Sequence, residues 1–210
     1  MMLSFTTASR LLGCVALLAL GACVSTQYAA IPQGEVAIRD LRLTISDTLW
    51  NRAPQTMTTH LQRGSEMWTR DGPQLDRVLL LSGIGNGQAL FKSGSKSLVY
   101  PEFNPRMLPN EIVELNEASF AKLLGTEVLV TSSNLRPKQL GGQRAAMFDL
   151  TVSSADRPTM LGRVVAFVHD GRLFEIVYLA AELHYFDKHW AEVLALIESA
   201  RTGVPTPTGG

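Results

Sequence analysis

The stretch from Arg163 to Leu179 restricts the fold more than any other segment of this chain. Two runs rich in β-branched and aromatic residues flank the dipeptide Asp170-Gly171. Asp-Gly accepts the positive φ angles of a type I′ turn, whose twist matches that of paired strands, so the segment predicts a tight antiparallel hairpin. Phe186, Trp190, Val193, Leu194 and Ile197 then recur at helical spacing, with Asp187 placed to act as N-cap. That helix is expected to lay its apolar face on the hairpin.

Upstream, the pattern continues in short strands. Val36 to Ile45 alternates apolar residues from Leu41 onward, and Glu66 to Arg70 is followed by the turn Asp71-Gly72-Pro73 and a second run from Leu75 to Ser82. Glu127 to Ser132 and Arg144 to Ser153 predict two more strands. Between them and the first group, Pro109 opens a helix that Gly125 ends, with Phe120, Leu123 and Leu124 as its buried stripe. Residues 83–109 are rich in glycine and proline and predict a long loop excursion. Antiparallel strands with segregated helices make an α+β domain.

This layout resembles the PsbP-like fold, an antiparallel sheet flanked by helices that occurs in thylakoid-lumen subunits and in small bacterial envelope lipoproteins. The resemblance is carried by Gly141-Gly142 before the strand at 144–153, the Asp170-Gly171 hairpin, and the helix from Asp187 to Ser199-Ala200-Arg201. As layout it spans Ile38 to Arg201, and its last third is the specific part. It implies a PsbP-like sandwich.

Near the start, an uncharged apolar run from Leu11 to Leu20 follows the single basic residue Arg10. It is too short to span a bilayer as a helix and suits the apolar core of a secretory signal. It closes on Leu20-Gly21-Ala22-Cys23, which resembles a bacterial lipobox: a branched residue and two small ones let a peptidase draw in the backbone, and the thiol takes the lipid. The resemblance implies cleavage before Cys23 and its acylation with palmitate-type chains, which bury about 0.8 kcal/mol per methylene. Val24 after the cysteine, in place of Asp, implies sorting to an outer membrane. The expected organisation is therefore a signal peptide over 1–22, a lipidated tether over 23–34, the α+β domain over 35–202 and a disordered tail over 203–210.

Composition narrows the function classes. Cys14 leaves with the signal and Cys23 carries lipid, so neither a disulfide nor a Cys-based metal site is expected in the domain. The 19 basic and 19 acidic residues cancel and form no stripe, which argues against nucleic acid as a partner. Gly83-Ile-Gly85-Asn-Gly87 lacks the following helix that a phosphate-binding loop needs, and no Gly-x-Ser-x-Gly elbow occurs. His184 and His189 lie five apart, out of register for a helical metal pair, and read as surface or capping residues. No metal, cofactor or catalytic residue is assigned.

Trp50 and Trp68 each precede an arginine by two residues, Arg52 and Arg70, which predicts a binding face rimmed by aromatic and cationic groups. The expected protein is a non-enzymatic lipoprotein, anchored to the envelope membrane through its lipid and facing the periplasm, that binds or supports another envelope component. The alternative is a small-molecule-binding or enzymatic domain with 83–109 as a lid.

Overall fold

The computed structural model describes residues 27–46 and 49–203. The Arg163–Leu179 hairpin forms as expected and lies at the heart of the sheet: β9 (Arg157–His169) and β10 (Arg172–Ala181) pair along their length, with Asp170 at φ 48° and Gly171 at φ 69° in the turn. On one side β10 pairs with β6 (Asp76–Ile84), then β5 (Glu66–Thr69), β4 (Asn51–Arg52) and β1 (Ala29–Ala30). On the other, β9 pairs with β8 (Gln143–Ser154) and β8 with the edge strand β7 (Leu129–Leu140). Every pairing is antiparallel. A second sheet joins β2 (Gly34–Ile38), β3 (Leu41–Ile45) and β11 (Arg201–Thr202).

The two faces of the large sheet support separate cores. Leu173, Val177 and Leu179 of β10 point to one side, against α1 (Pro109–Leu124) and the 83–108 segment. Phe174, Ile176, Tyr178 and Ala180 point to the other, against α2 (Tyr185–Glu198) and the small sheet. Covered on both faces, β10 is buried from Leu173 to Ala181, which is why its sequence runs apolar with little alternation. Among the described residues no helix is long and apolar enough to cross a membrane.

Several boundaries differ from expectation. Val36 to Ile45 is a hairpin, reversing at Arg39-Asp40 with Arg39 at φ 55°, since nothing in Arg-Asp advertises a turn. The fold begins before the expected tether ends: Ala29–Ala30 pairs with β4, and Ile31 is fully buried and donates its N–H to the Trp50 carbonyl at 2.9 Å. β7 runs on through Asn134 and Pro137 because an edge strand tolerates a bulge between Ser133 and Arg136 and a missing N–H. In α1 the stripe is Ile112, Leu115, Asn116, Ser119 and Phe120, while Leu123 and Leu124 are only partly buried. His184, at φ 78°, precedes α2 without a side-chain cap, and Asp187 sits in the first turn, where it faces the positive end of the helix dipole. The signal segment, Cys23 and the tail from 204 lie outside the described residues.

Candidate functional site

A cleft of about 380 Å³ opens on the α1 side of the large sheet. Its floor comes from two cross-strand pairs, Met67 with Leu79 and Val152 with Met160, and its wall from Phe120 and Leu123 of α1. The volume lies in the range of small-ligand sites, and the lining is apolar with a few polar groups, as such sites usually are. Strand alternation decides which residues enter it: Arg77 is two residues from Leu79 on β6 and so shares its face.

Three basic side chains line the cleft, His60, Arg77 and Arg157. Among the described residues neither arginine side chain makes an ion pair or hydrogen bond. Burial pulls the Arg77 guanidinium below its ordinary pKa, though such a group stays protonated. Burial, and then the charge of Arg77, lower the pKa of His60, which keeps the imidazole neutral at pH 7. The cleft therefore combines an apolar interior with positive charge that no carboxylate answers.

The solution structure of cyanobacterial PsbP (CyanoP) from Synechocystis sp. PCC 6803 superposes on this chain with a TM-score of 0.55 at 10% identity, covering 88% of this chain and 99% of that one. The fold is PsbP-like. A crystal structure from Bacteroides thetaiotaomicron VPI-5482 matches with a TM-score of 0.47 at 11% identity, over 82% of this chain and 50% of that one. No protein-family model matches the sequence, and neither does any curated protein. The likeness is one of architecture, so the cleft has to be understood from the side chains of this PsbP-like domain itself.

The residues expected to form a binding face are placed differently. Trp50 and Trp68 are 4% and 0% exposed and belong to the core on the α2 side. The Trp68 indole N–H and the Arg52 guanidinium both donate to Glu66 Oε2, each at 2.7 Å, while Arg70 pairs with Glu192. An aromatic rim is thus absent at these four positions: the rings pack inward because β4 and β5 lie under α2, and the arginines close the edge over them. Aromatic-cation contacts form elsewhere, with Arg163 over Trp190 at 4.2 Å and over Phe186 at 5.5 Å, and Lys188 over Tyr185 at 5.3 Å.

His189, expected at the surface, is 1% exposed. Its Nε2 donates to Asp71 Oδ2 at 2.5 Å and lies 3.6 Å from Asp76 Oδ2, and its ring meets Trp50 edge-on at 5.9 Å. These three side chains bring ligand atoms within 4.8 Å of one another. The arrangement fits hydrogen bonding better than a cation, since two atoms sharing a metal ion at about 2.1 Å each stand about 3 Å apart. Asp76 is already engaged by the backbone N–H groups of Arg70 and Asp71 and by the Thr69 hydroxyl. The spacing to His184 was uninformative because the true partners lie on the β5–β6 turn.

Sequence reasoning missed a further buried group, Glu175, which stands on β10 beneath α1 and accepts from Asn116 Nδ2 at 2.8 Å. Burial pushes its carboxyl up to about 7, against a smaller opposing effect of the Asn116 hydrogen bond. The signal was there: one acid inside the run Leu173-Phe-Glu-Ile-Val. The 83–108 segment contributes no residue to the lining of the cleft. Leu90, Phe91, Tyr100 and Phe103 anchor it in the core, and Phe91 packs edge-on against Phe120 at 5.1 Å. In the glycine run, Gly85 N–H donates to Gln88 Oε1 and Gly87 N–H to the Phe103 carbonyl, which leaves these amides committed to the chain itself.

Proposed function

We propose that this chain is a lipid-anchored, periplasm-facing envelope lipoprotein whose PsbP-like domain binds or supports another envelope component and catalyses no reaction. The observation that supports binding is the position of the cleft relative to the N-terminus. Tyr28 donates its hydroxyl proton to the sulfur of Met57 at 3.2 Å, and Met57 lines the cleft. Cys23 is five residues before Tyr28. At no more than about 3.6 Å per residue, the acylated residue stands within roughly 18 Å of Tyr28, so the anchor holds the cleft near the membrane surface.

A photo-crosslinking amino acid placed at Gln74, an exposed residue of the cleft lining, tests this in cells. The expected result is a discrete envelope adduct from the acylated chain that is lost in a Cys23→Ser copy. An adduct of equal yield from both forms, or turnover of a substrate by the purified chain, would overturn the proposal.

A further inference from the structure

We infer that the cleft beneath α1 binds a single-chain amphiphile with an anionic head, taken from the membrane surface, with Arg77 and Arg157 receiving the head group. This rests on the anchored reading only for where the ligand comes from; the chemistry stands on the cleft itself.

The interior accounts for the tail. Met67, Leu79, Phe120, Leu123 and Met160 offer an apolar lining on three sides, and two methionines give it the adaptability that an unbranched chain with many rotamers requires. A ligand without an apolar portion would leave that surface wet and gain nothing from it.

The arginines account for the head. Elsewhere in the domain many arginines have carboxylate partners: Arg52 on Glu66, Arg70 on Glu192, Arg136 and Arg163 on Asp149, Arg172 on Asp40, Arg201 on Glu35. Arg63, Arg106 and Arg144 have no side-chain acceptor among the described residues, but they stand exposed to water. Arg77 and Arg157 line one cleft and have no such partner among the described residues. Arg77 is partly withdrawn from water without a counter-charge, which is costly, while Arg157 stands exposed at the rim; a carboxylate or phosphate at the mouth would supply charge-assisted hydrogen bonds to both. His60 adds a donor beside Arg77; burial first and the Arg77 charge second disfavour its protonation, and a bound anion would offset the second of these. A cationic or zwitterionic head would meet two positive charges and no negative one.

The tether accounts for the source. The described chain enters the fold at Tyr28, in contact with Met57 of the cleft, and the acylation site is five residues upstream. The cleft thus stands within a short reach of the surface that holds single-chain lipids.

The test uses purified full-length protein and a fatty acid carrying a diazirine in its chain and an alkyne at its tail. Irradiation should label peptides containing Met57–Met67, Phe120–Leu124 and Val152–Met160, located by mass spectrometry. Competition separates the head groups on the unaltered protein: dodecanoate and dodecyl phosphate should each suppress labelling, and dodecanol should require at least about tenfold more. Suppression by only one of the anions supports the inference and identifies the head. Arg77→Gln and Arg157→Gln should each weaken labelling about tenfold, with Lys96→Gln, in the 83–108 segment, unchanged.

Labelling spread over the surface, or dodecanol competing as well as the anions, would overturn the inference. So would Arg77→Gln and Arg157→Gln chains that melt normally and label normally. Membrane fractionation of the same chain reports separately on the anchor, so failure of lipidation and failure of the cleft give different results.

Discussion

His189 Nε2 lies 2.5 Å from Asp71 Oδ2, a contact that joins α2 to the β5–β6 turn across 118 residues of sequence. Lys188, its neighbour, reaches the same oxygen at 2.6 Å. Asp76 organises the turn from within through the Arg70 and Asp71 amides. Two adjacent residues of the helix thereby hold one carboxylate, and the helix that covers the second core is tied to the strand pair that borders the cleft.

This tie should be sensitive to acid. Burial alone would raise the Asp71 carboxyl, but hydrogen bonds from His189 and Lys188, together with their charge, hold it below its ordinary value. A carboxyl depressed by folding contributes stability above its unfolded pKa and loses it as pH falls through the folded one. Asp71→Asn is expected to cost about 1 kcal/mol at pH 7 and to flatten the loss of stability below about pH 4. Urea unfolding followed from pH 7 to pH 3 measures both effects.

Glu175 should act in the opposite sense. Its carboxyl is pushed up to about 7, so the fold favours the protonated acid. The unfolded chain ionises from the ordinary carboxylate range upward, and stability should therefore decline as pH rises until the folded pKa is passed. Glu175→Gln keeps the shape and the acceptor for Asn116 without the ionisation. It should stabilise the domain above pH 7 by up to about 3 kcal/mol and remove the decline, as read from melting temperatures across pH 4 to 8.

Among the described glycines, Gly162 leaves the least room for a side chain. It lies between Leu150 on β8 and Leu179 on β10, and a Cβ there would stand 2.7 Å from Leu179 Cδ2 and 3.1 Å from Leu150 Cβ. The Leu179 methyl can swing aside, but Leu150 Cβ is fixed to its strand. Gly162→Ala is expected to cost about 1–3 kcal/mol by denaturant unfolding.

Cys23 carries the expectation about the membrane. Cys23→Ser removes the sulfur that would take the lipid, so the mutant should move from the membrane fraction to the soluble fraction on cell lysis. A chain that stays with membranes would show that something other than acylation holds it.

Local chemistry made much of this fold legible. Asp170-Gly171 can hardly do other than turn, and Pro109 and Gly125 bracket α1 as read. Periodicity located α2 and most of its buried side, since Phe186, Val193 and Ile197 are buried, but it gave Trp190 and Leu194, which are half-buried, and passed over His189 and Leu196, because the edges of an apolar stripe depend on what packs against it. The turn at Arg39-Asp40 and the continuation of β7 through Pro137 had no local advertisement. Both are permitted by position in the sheet, which only the assembled fold defines.

By itself, then, the sequence determined the class of fold and the resemblance to a lipid anchor, since both rest on properties that short segments carry in isolation: turn chemistry, strand and helix period, an apolar run closed by small residues and a cysteine. Tertiary structure alone decided which charges are answered. Arg52 and Arg70, beside tryptophans in sequence, are paired with Glu66 and Glu192, whereas Arg77 and Arg157, unremarked in sequence and 80 residues apart by number, line one apolar cleft and have no side-chain partner among the described residues. The reason is that the electrostatic state of a side chain depends on what lies within a few ångströms of it, and sheet pairing brings together residues from distant parts of the chain.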